Sequence, residues 1–275
     1  MNNRKPAIVR SIAAAPHLLW CAMFIIAPMA FVAYYAFTDA DGAFTLYNIN
    51  EVFSASYMKI LERSVLFALV ATAICLVIAY PLAYAITKLK ARNQPTVLML
   101  LMLPMWINLL IRTYSLKILL ETNGLVNQLL EFLHLPTVQF LQTDFAIILG
   151  MVYNYLPYMV LPIYSVLVKI DKRLVEAAAD LGCNNWQVMS KVIMPLSISG
   201  VISGITMVFV PAASSFVISS RLGGFNLIGD TIDTYYNKSF NLNAANMISF
   251  VLMIVIVISI VVMNRFDKDD DVVLV

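Results

Sequence analysis

Six long apolar stretches constrain this sequence more than any other feature. They run over about 18–37, 64–87, 96–119, 145–168, 196–219 and 244–263, and each has the length of about 20 residues at which an α-helix crosses a bilayer. Hydrophobic residues make up 61% of the chain and charged residues 12%, where soluble domains average about half and about a quarter. Backbone groups in lipid must satisfy their own hydrogen bonds, so we predict an all-α, polytopic membrane protein with six transmembrane helices.

The first apolar stretch follows a basic segment, 1–10, and this order also occurs in secretory signal peptides. The stretch is longer than a signal-peptide core and contains Pro28. It is followed by the acidic Asp39 and Asp41 instead of a small-residue cleavage site. We therefore predict that it is the first transmembrane helix.

Lys and Arg are distributed unevenly between the two sides that six spans create. The side with both termini holds most of the 18: Arg4, Lys5, Arg10, Lys88, Lys90, Arg92, Lys169, Lys172, Arg173, Lys191, Arg265 and Lys268. The other side and the span ends next to it hold Lys59, Arg63, Arg112, Lys117, Arg221 and Lys238. Because Lys and Arg accumulate in cytoplasmic loops, we predict a multi-pass membrane protein with both termini in the cytoplasm.

The longest polar interruption between the apolar stretches runs from Glu176 to Pro195, on the side predicted to be cytoplasmic. Good helix formers precede Gly182, which stands where a helix ends or turns sharply. We expect a helix, a glycine corner and a second helix, with a positive φ or a close contact with the partner at Gly182. Such an elbow presents an apolar face, here Ala177, Ala178 and Leu181, to a groove on a partner. The alternative is a connecting loop that packs on its own bundle.

The spacing in this loop resembles the EAA loop of binding-protein-dependent ABC importer permeases, the MetI-like, type I family. That loop reads Glu-Ala-Ala, three residues, Gly, nine residues, Ile, one residue and Leu-Pro, and the matching positions are Glu176, Ala177, Ala178, Gly182 and Pro195. Val192 and Met194 replace Ile and Leu, both apolar exchanges of similar volume. The stretches 103–117 and 153–164 resemble the spermidine/putrescine permeases of the same family.

This resemblance implies that the loop couples the permease to an ATPase through Glu176, Ala177, Ala178, Asp180, Leu181, Gly182 and Pro195. It implies a permease domain over 60–264, preceded by an N-terminal segment, first span and external loop over 1–59 and followed by an acidic cytoplasmic tail over 265–275. The implied partners are a second permease subunit, two copies of a cytoplasmic ABC ATPase, an external solute-binding protein and membrane lipid, with a polyamine as substrate and no nucleic acid. The implied location is the bacterial inner or plasma membrane. ATP hydrolysis is then expected on the separate ATPase.

No catalytic motif is present. The sequence contains no GxxxxGK[ST] phosphate loop, no HExxH and no GxSxG, so we predict a transport subunit without catalytic residues. His17 and His134 are isolated, and Cys21, Cys75 and Cys183 are spread along the chain. We expect neither a metal site nor a disulfide nor a cofactor.

A substrate path through the bilayer would be lined by the polar and aromatic residues near the middle of the third and fourth stretches: Trp106, Asn108, Tyr153, Asn154, Tyr155 and Tyr158. Their aromatic faces suit an organic cation, and they suit helix packing equally well. Both interpretations stay open. No Asp or Glu stands in the middle of a stretch, so carboxylates for a polycation would have to come from a partner.

Arg112 lies toward the outer end of the third stretch, where snorkelling to the interface and a gating ion pair are both open interpretations. Two other functions also stay open: a permease for another small organic solute, and an ion-coupled secondary transporter. A secondary transporter is expected to carry ionisable groups within its spans.

Overall fold

The computed structural model describes residues 16–39, 42–239 and 241–268. The basic segment 1–10, Asp41 and residues 269–275 of the predicted acidic tail lie outside them. The helices are α1 (Pro16–Ala36), α2 (Tyr47–Val52), α3 (Ala55–Thr87), α4 (Gln94–Met102), α5 (Leu109–Leu120), α6 (Leu125–Phe132), α7 (Asp144–Leu167), α8 (Lys172–Asp180), α9 (Asn185–Leu196), α10 (Ile198–Ser214), α11 (Val217–Leu222), α12 (Ile228–Asn237) and α13 (Leu242–Lys268). Within the described residues the β-structure is one isolated bridge, between Thr38 and Phe44.

The predicted all-α membrane fold is confirmed. Among the described residues, four helices are long and apolar enough to cross a membrane: α1, α3, α7 and α13 over Leu242–Met263. Two further spans form only if a bent pair of helices counts as one. These pairs occupy the third and fifth apolar stretches of the sequence.

The third span, expected as one helix over 96–119, is broken. A 3-10 turn over Leu103–Trp106 follows α4, and Ile107 is extended, with φ −81° and ψ 138°. Asn108 then begins α5, because its side-chain oxygen accepts a hydrogen bond from the Leu110 amide at 2.8 Å. Pro104 cannot donate a backbone hydrogen bond, which favours the break. The helices on the two sides differ in direction by 91°.

The fifth span bends before α10 and not at Pro211. Helix α10 continues through Pro211 and ends at Ser214, whereas a bend of 65° lies between α9 and α10, at Ser197. Ser215 is extended, with φ −68° and ψ 129°, and separates α10 from α11. The predicted helix end at residue 219 was therefore too late.

Helices α7 and α10 approach each other closely at two glycines of the fifth span. A Cβ atom added at Gly200 would lie 2.9 Å from the Pro162 carbonyl oxygen, and one at Gly204 would lie 2.7 Å from the Met159 Sδ atom. Small residues let the two helices approach at these positions. Met159 and Ile163 of α7 are fully buried there, so this pair forms the centre of the core.

An amphipathic helix, α6, lies in the polar link between the third and fourth spans. Its buried face carries Asn127, whose side chain donates to the Val138 carbonyl and accepts from the Val138 amide, both at 3.0 Å. Leu125 and Leu129 are exposed. This helix is thus fixed by polar contacts and presents leucines outward, as an interfacial helix would.

The chain divides into two compact units, which we describe separately. One comprises Met1–Met58 and Ile232–Met253, and in it the Asn243 side chain donates to the Thr38 carbonyl at 2.5 Å. The other comprises Lys59–Thr231 and Ile254–Val275 and contains every residue of the candidate site below. The domain limits drawn from the sequence stay a prediction.

Candidate functional site

The predicted elbow is formed by α8, a short turn and α9. The Asp171 side chain caps the start of α8 by accepting from the Arg173 amide at 2.9 Å. At the other end, the Gly182 amide donates to the Ala179 carbonyl at 2.9 Å and the Cys183 amide to the Ala178 carbonyl at 3.1 Å. These two bonds form a Schellman motif, which satisfies the last carbonyls of a helix and reverses the chain.

Gly182 adopts a φ of +84°, so the expected positive φ is confirmed. The other expectation, a close contact with the partner, stays a prediction; within this chain a Cβ atom at Gly182 would meet nothing within 4 Å. The backbone conformation alone therefore calls for glycine at the corner.

The second helix of the elbow begins with a capping box that sequence reasoning missed. The Asn184 side chain accepts from the Gln187 amide at 2.8 Å, and the Gln187 side chain accepts from the Asn184 amide at 2.9 Å. The signal was present as Asn-x-x-Gln directly after the glycine corner. With both helix ends capped, the chain path through the elbow is fixed on each side of the turn.

The outer surface of the elbow is apolar. Leu181 is 86% exposed and Trp186 77% exposed, and Leu174 and Ala177 are exposed on the face of α8 that leads to Leu181. We call Leu174, Ala177, Leu181 and Trp186 the outer face. Side chains three and four residues apart on a helix lie next to one another, so the α8 members form a continuous stripe.

Ala178 does not belong to the outer face, and its predicted place there was wrong. It is only 8% exposed and is part of the hydrophobic core with Val188 and Ile193 of α9. One residue corresponds to a rotation of about 100° around a helix, which turns Ala178 away from Ala177. Ala178 therefore fixes α8 to the body of the protein.

The other predicted coupling residues lie at the surface. Glu176 and Asp180 are exposed on α8, and Pro195 is exposed near the end of α9. A π-helical segment, Met189–Ile193, precedes Pro195. The elbow is thus joined to the membrane part of the chain through an irregular helix and the 65° bend at Ser197.

The six residues proposed from the sequence as a path do not share one surface. Trp106 is 74% exposed, Tyr153 is exposed and Tyr158 is half-buried. Asn108 is also exposed, but its side-chain oxygen is used in capping α5.

The remaining two path candidates lie in the core, which favours packing for them. Asn154 is fully buried, and its side chain donates to the Gly150 carbonyl at 2.8 Å. The Tyr155 hydroxyl donates to the Pro211 carbonyl at 3.3 Å. Exposed and buried candidates follow one another along α7 because neighbouring residues on a helix point in different directions.

Arg112 is buried and forms no ion pair within the described part of the chain. It is 5% exposed, and its Nε and Nη1 atoms are buried without a hydrogen-bond partner. The 91° break changes the direction of α5, which packs against α7 and α11. A snorkelling side chain keeps its charged head in water, so the burial of this guanidinium contradicts that interpretation.

The chain matches over residues 14–269 the family described as "Binding-protein-dependent transport system inner membrane component". The chain belongs to this family. Membership makes it a membrane component of a transport system and not an enzyme. Among the described residues, no group of three His, Cys, Asp or Glu side chains is placed to hold a metal ion.

Two curated relatives are similar over most of their length. The spermidine/putrescine transport system permease protein PotB of Haemophilus influenzae is 35% identical over 90% of this chain and 91% of its own. The protein of the same name from Escherichia coli K12 is 38% identical over 79% of this chain and 82% of its own.

A solved structure shows the fold. A chain of a bacterial alginate ABC transporter, crystallised with an alginate pentasaccharide-bound periplasmic protein, matches with a TM-score of 0.78 at 15% identity, over 96% of both chains. The fold is therefore that of a type I ABC importer permease.

Proposed function

We propose that this chain is a permease subunit of an ATP-driven ABC importer and forms, with a second permease, the translocation path for polyamines such as spermidine and putrescine. The observation that carries the substrate class is 35% identity to a spermidine/putrescine permease over 90% of the chain. The family gives the transport role, and the substrate follows from this closer similarity.

The elbow is the proposed docking site for a cytoplasmic ATPase. Its outer face exposes most of the Leu181 and Trp186 side chains. Contiguous exposed apolar side chains of this kind are typical of a surface that a partner protein covers. On its inner side, Ala178, Val188 and Ile193 pack into the core. A displacement of the ATPase surface would therefore be passed to α7 and α10 through packed side chains instead of through a flexible loop.

The proposed partners follow from this arrangement. An importer of this kind needs two copies of the ATPase, one for each permease, and a solute-binding protein on the outer side. The elbow must then face the cytoplasm, with both termini on the same side. Single-cysteine variants in a background without the native cysteines test this orientation.

We expect Asp180→Cys to react with a membrane-impermeant maleimide only after cells are opened. Gln128→Cys and Asn226→Cys should react in intact cells. External labelling of position 180 contradicts the orientation.

The proposed polyamine contacts are the exposed aromatic residues Trp106 and Tyr153. The face of an aromatic ring attracts an ammonium group with about 0.5–2 kcal/mol, depending on how far water is excluded. Asn108 lies near Trp106 in the sequence, and Tyr155 and Tyr158 belong to the same helix as Tyr153, with Tyr155 packed in the core. The carboxylates for a polycation come from the second permease or the binding protein.

The test is purification of the complex and measurement of its ATPase activity with binding protein and different solutes. Polyamine-loaded binding protein should stimulate hydrolysis, and amino acids or sugars should not. Stimulation by another small organic solute would keep the importer role and replace the substrate. Solute uptake driven by an ion gradient without ATP would instead favour a secondary transporter.

A further inference from the structure

A cleft of about 550 Å³ lies between the end of α3, the start of α4, the end of α7 and the helix α8. Its apolar lining includes Leu89, Val168 and Ile170, and its charged lining consists of Lys88, Lys172 and Glu176. A pocket with an apolar wall and a few charged groups is suited to an amphiphilic ligand.

The cleft lies where two candidate membrane-spanning helices end. Helix α3 ends at Thr87 and α7 ends at Leu167, both are long and apolar enough to span a membrane, and both of these last residues line the cleft. The ends of membrane-spanning helices lie near the lipid headgroups on either side of a membrane. This placement does not depend on which side of the membrane the cleft faces.

One wall of the cleft is held in place by partly buried hydrogen bonds of the Gln94 side chain. The Gln94 side chain donates to the Thr87 carbonyl at 3.2 Å and to the Leu89 carbonyl at 2.9 Å. The side-chain oxygen of Gln94 in turn accepts a hydrogen bond from the Tyr164 hydroxyl at 2.8 Å. Lys88 extends over the ring of Tyr84, with 4.7 Å between its Nζ atom and the ring centroid. The wall is therefore formed before any ligand binds.

The charges of the cleft are not neutralised by one another. In the described part of the chain, the one ion pair with a distance of 4.0 Å or less joins Arg63 to Asp144. Lys88 and Lys172 are thus without a carboxylate partner, and Glu176 is without a cationic one. Two ammonium groups and one carboxylate around an apolar wall are complementary to a ligand with a phosphate, an ammonium group and an apolar end.

We propose that this cleft binds the headgroup of an aminophospholipid, such as phosphatidylethanolamine. The phosphate contacts Lys88 and Lys172, the primary ammonium contacts Glu176, and the glycerol end and the first methylene groups pack on Leu89, Val168 and Ile170. Basic pockets between transmembrane helices are a general site for lipid phosphates. The carboxylate in this one gives it a preference for an amine-bearing headgroup.

Lipid binding here would act on the elbow. Lys172 and Glu176 belong to α8, whereas Lys88 belongs to the loop after α3. A headgroup that contacts all three ties α8 to that loop and limits how far it moves. The lipid would therefore set the resting position of the helix that we propose to dock on the ATPase.

The test measures lipid binding and not transport, so its failure is distinguishable from failure of the proposed function. The complex that co-purifies with the full chain is titrated in detergent with short-chain phosphatidylethanolamine, phosphatidylglycerol and phosphatidylcholine, and binding is followed by native mass spectrometry. We expect the order phosphatidylethanolamine, phosphatidylglycerol, phosphatidylcholine, because phosphatidylcholine has no N–H donor for Glu176 and no net negative charge for the lysines.

Lys88→Gln and Lys172→Gln should each weaken phosphatidylethanolamine binding about fivefold, the factor that corresponds to ~1 kcal/mol per lysine near a membrane surface. Lys90→Gln is the matched control, because it removes the same charge from the same exposed loop but does not line the cleft. Glu176→Gln should reverse the preference so that phosphatidylglycerol binds more tightly.

Two results would overturn the proposal. One is equal binding of the three lipids, or equal losses in Lys88→Gln and Lys90→Gln, which would indicate a general electrostatic effect of the membrane surface. The other is binding of soluble glycerophosphoethanolamine as tightly as the lipid, which would make the cleft a site for a water-soluble phosphate ester.

Discussion

Replacement of Gly182 by valine tests whether the geometry of the elbow matters for coupling. At φ +84° a β-branched residue is a strong conformational outlier, and residues held in such regions cost about 1–3 kcal/mol. No side-chain clash adds to this cost, because a Cβ atom there meets nothing within 4 Å. The change therefore acts on the backbone alone.

The two states to compare are the observed corner and turns in which residue 182 has a negative φ. A cost of one or two kcal/mol to the observed corner shifts the ratio of these states about 5–30-fold. We expect Gly182→Val to insert in the membrane normally, since no span is changed, but to lose most co-purified ATPase and most uptake. Gly182→Asn should keep both, because asparagine tolerates the left-handed region.

Gly42 provides a matched control for backbone strain. It has a φ of +79° and equally open space around its Cβ position, but it lies outside the elbow. Gly42→Val should therefore retain ATPase binding. Wild-type ATPase binding and uptake in Gly182→Val would refute the reasoning, and so would equal losses in the two valine variants.

Three further predictions concern packing, the buried guanidinium and the substrate surface. Ala178→Leu should destabilise the purified chain by about 1–3 kcal/mol through overpacking, whereas the exposed Ala177→Leu should change stability by less than ~0.5 kcal/mol; equal thermal midpoints would contradict the inward position of Ala178. Arg112→Met should raise the thermal unfolding midpoint, because the two buried nitrogen atoms without partners, Nε and Nη1, cost about 1–3 kcal/mol each. A lower midpoint would reveal a partner for Arg112 in the assembled protein. Trp106→Ala should reduce polyamine uptake by about 2–30-fold, the range given by one cation–π contact. Tyr155→Phe should leave uptake unchanged, because the Tyr155 hydroxyl donates to a backbone carbonyl. Unchanged uptake in Trp106→Ala would assign Trp106 to packing or lipid contact.

Apolar length and charge were enough to predict the helical membrane fold, and the ends of the fourth span agree with α7 to within one residue. Breaks inside spans were harder, because each depends on one local contact. The break before α5 needed the Asn108 side chain to reach the Leu110 amide, and a polar residue in an apolar stretch equally suits a buried contact. Ser197 carries no comparable signal for the 65° bend.

Within the elbow, the sequence predicted the corner but not which alanine faces outward. Gly182 is the type of residue that a positive φ requires, so its conformation followed from its identity. Ala177 and Ala178 are chemically the same, and only the packing of Val188 and Ile193 decides between them. Arg112 was misplaced for the same reason, since its burial depends on α7 and α11, which are distant in sequence.

The central claim is that this chain couples ATP hydrolysis to polyamine import, and transport by the reconstituted complex tests it most directly. Proteoliposomes with the chain, the second permease and the ATPase are loaded with ATP, and uptake of labelled spermidine is followed after addition of the loaded binding protein. The account predicts uptake that requires enclosed ATP and is lost with Gly182→Val. Spermidine uptake that proceeds without ATP, or that is normal in the Gly182→Val complex, would contradict it.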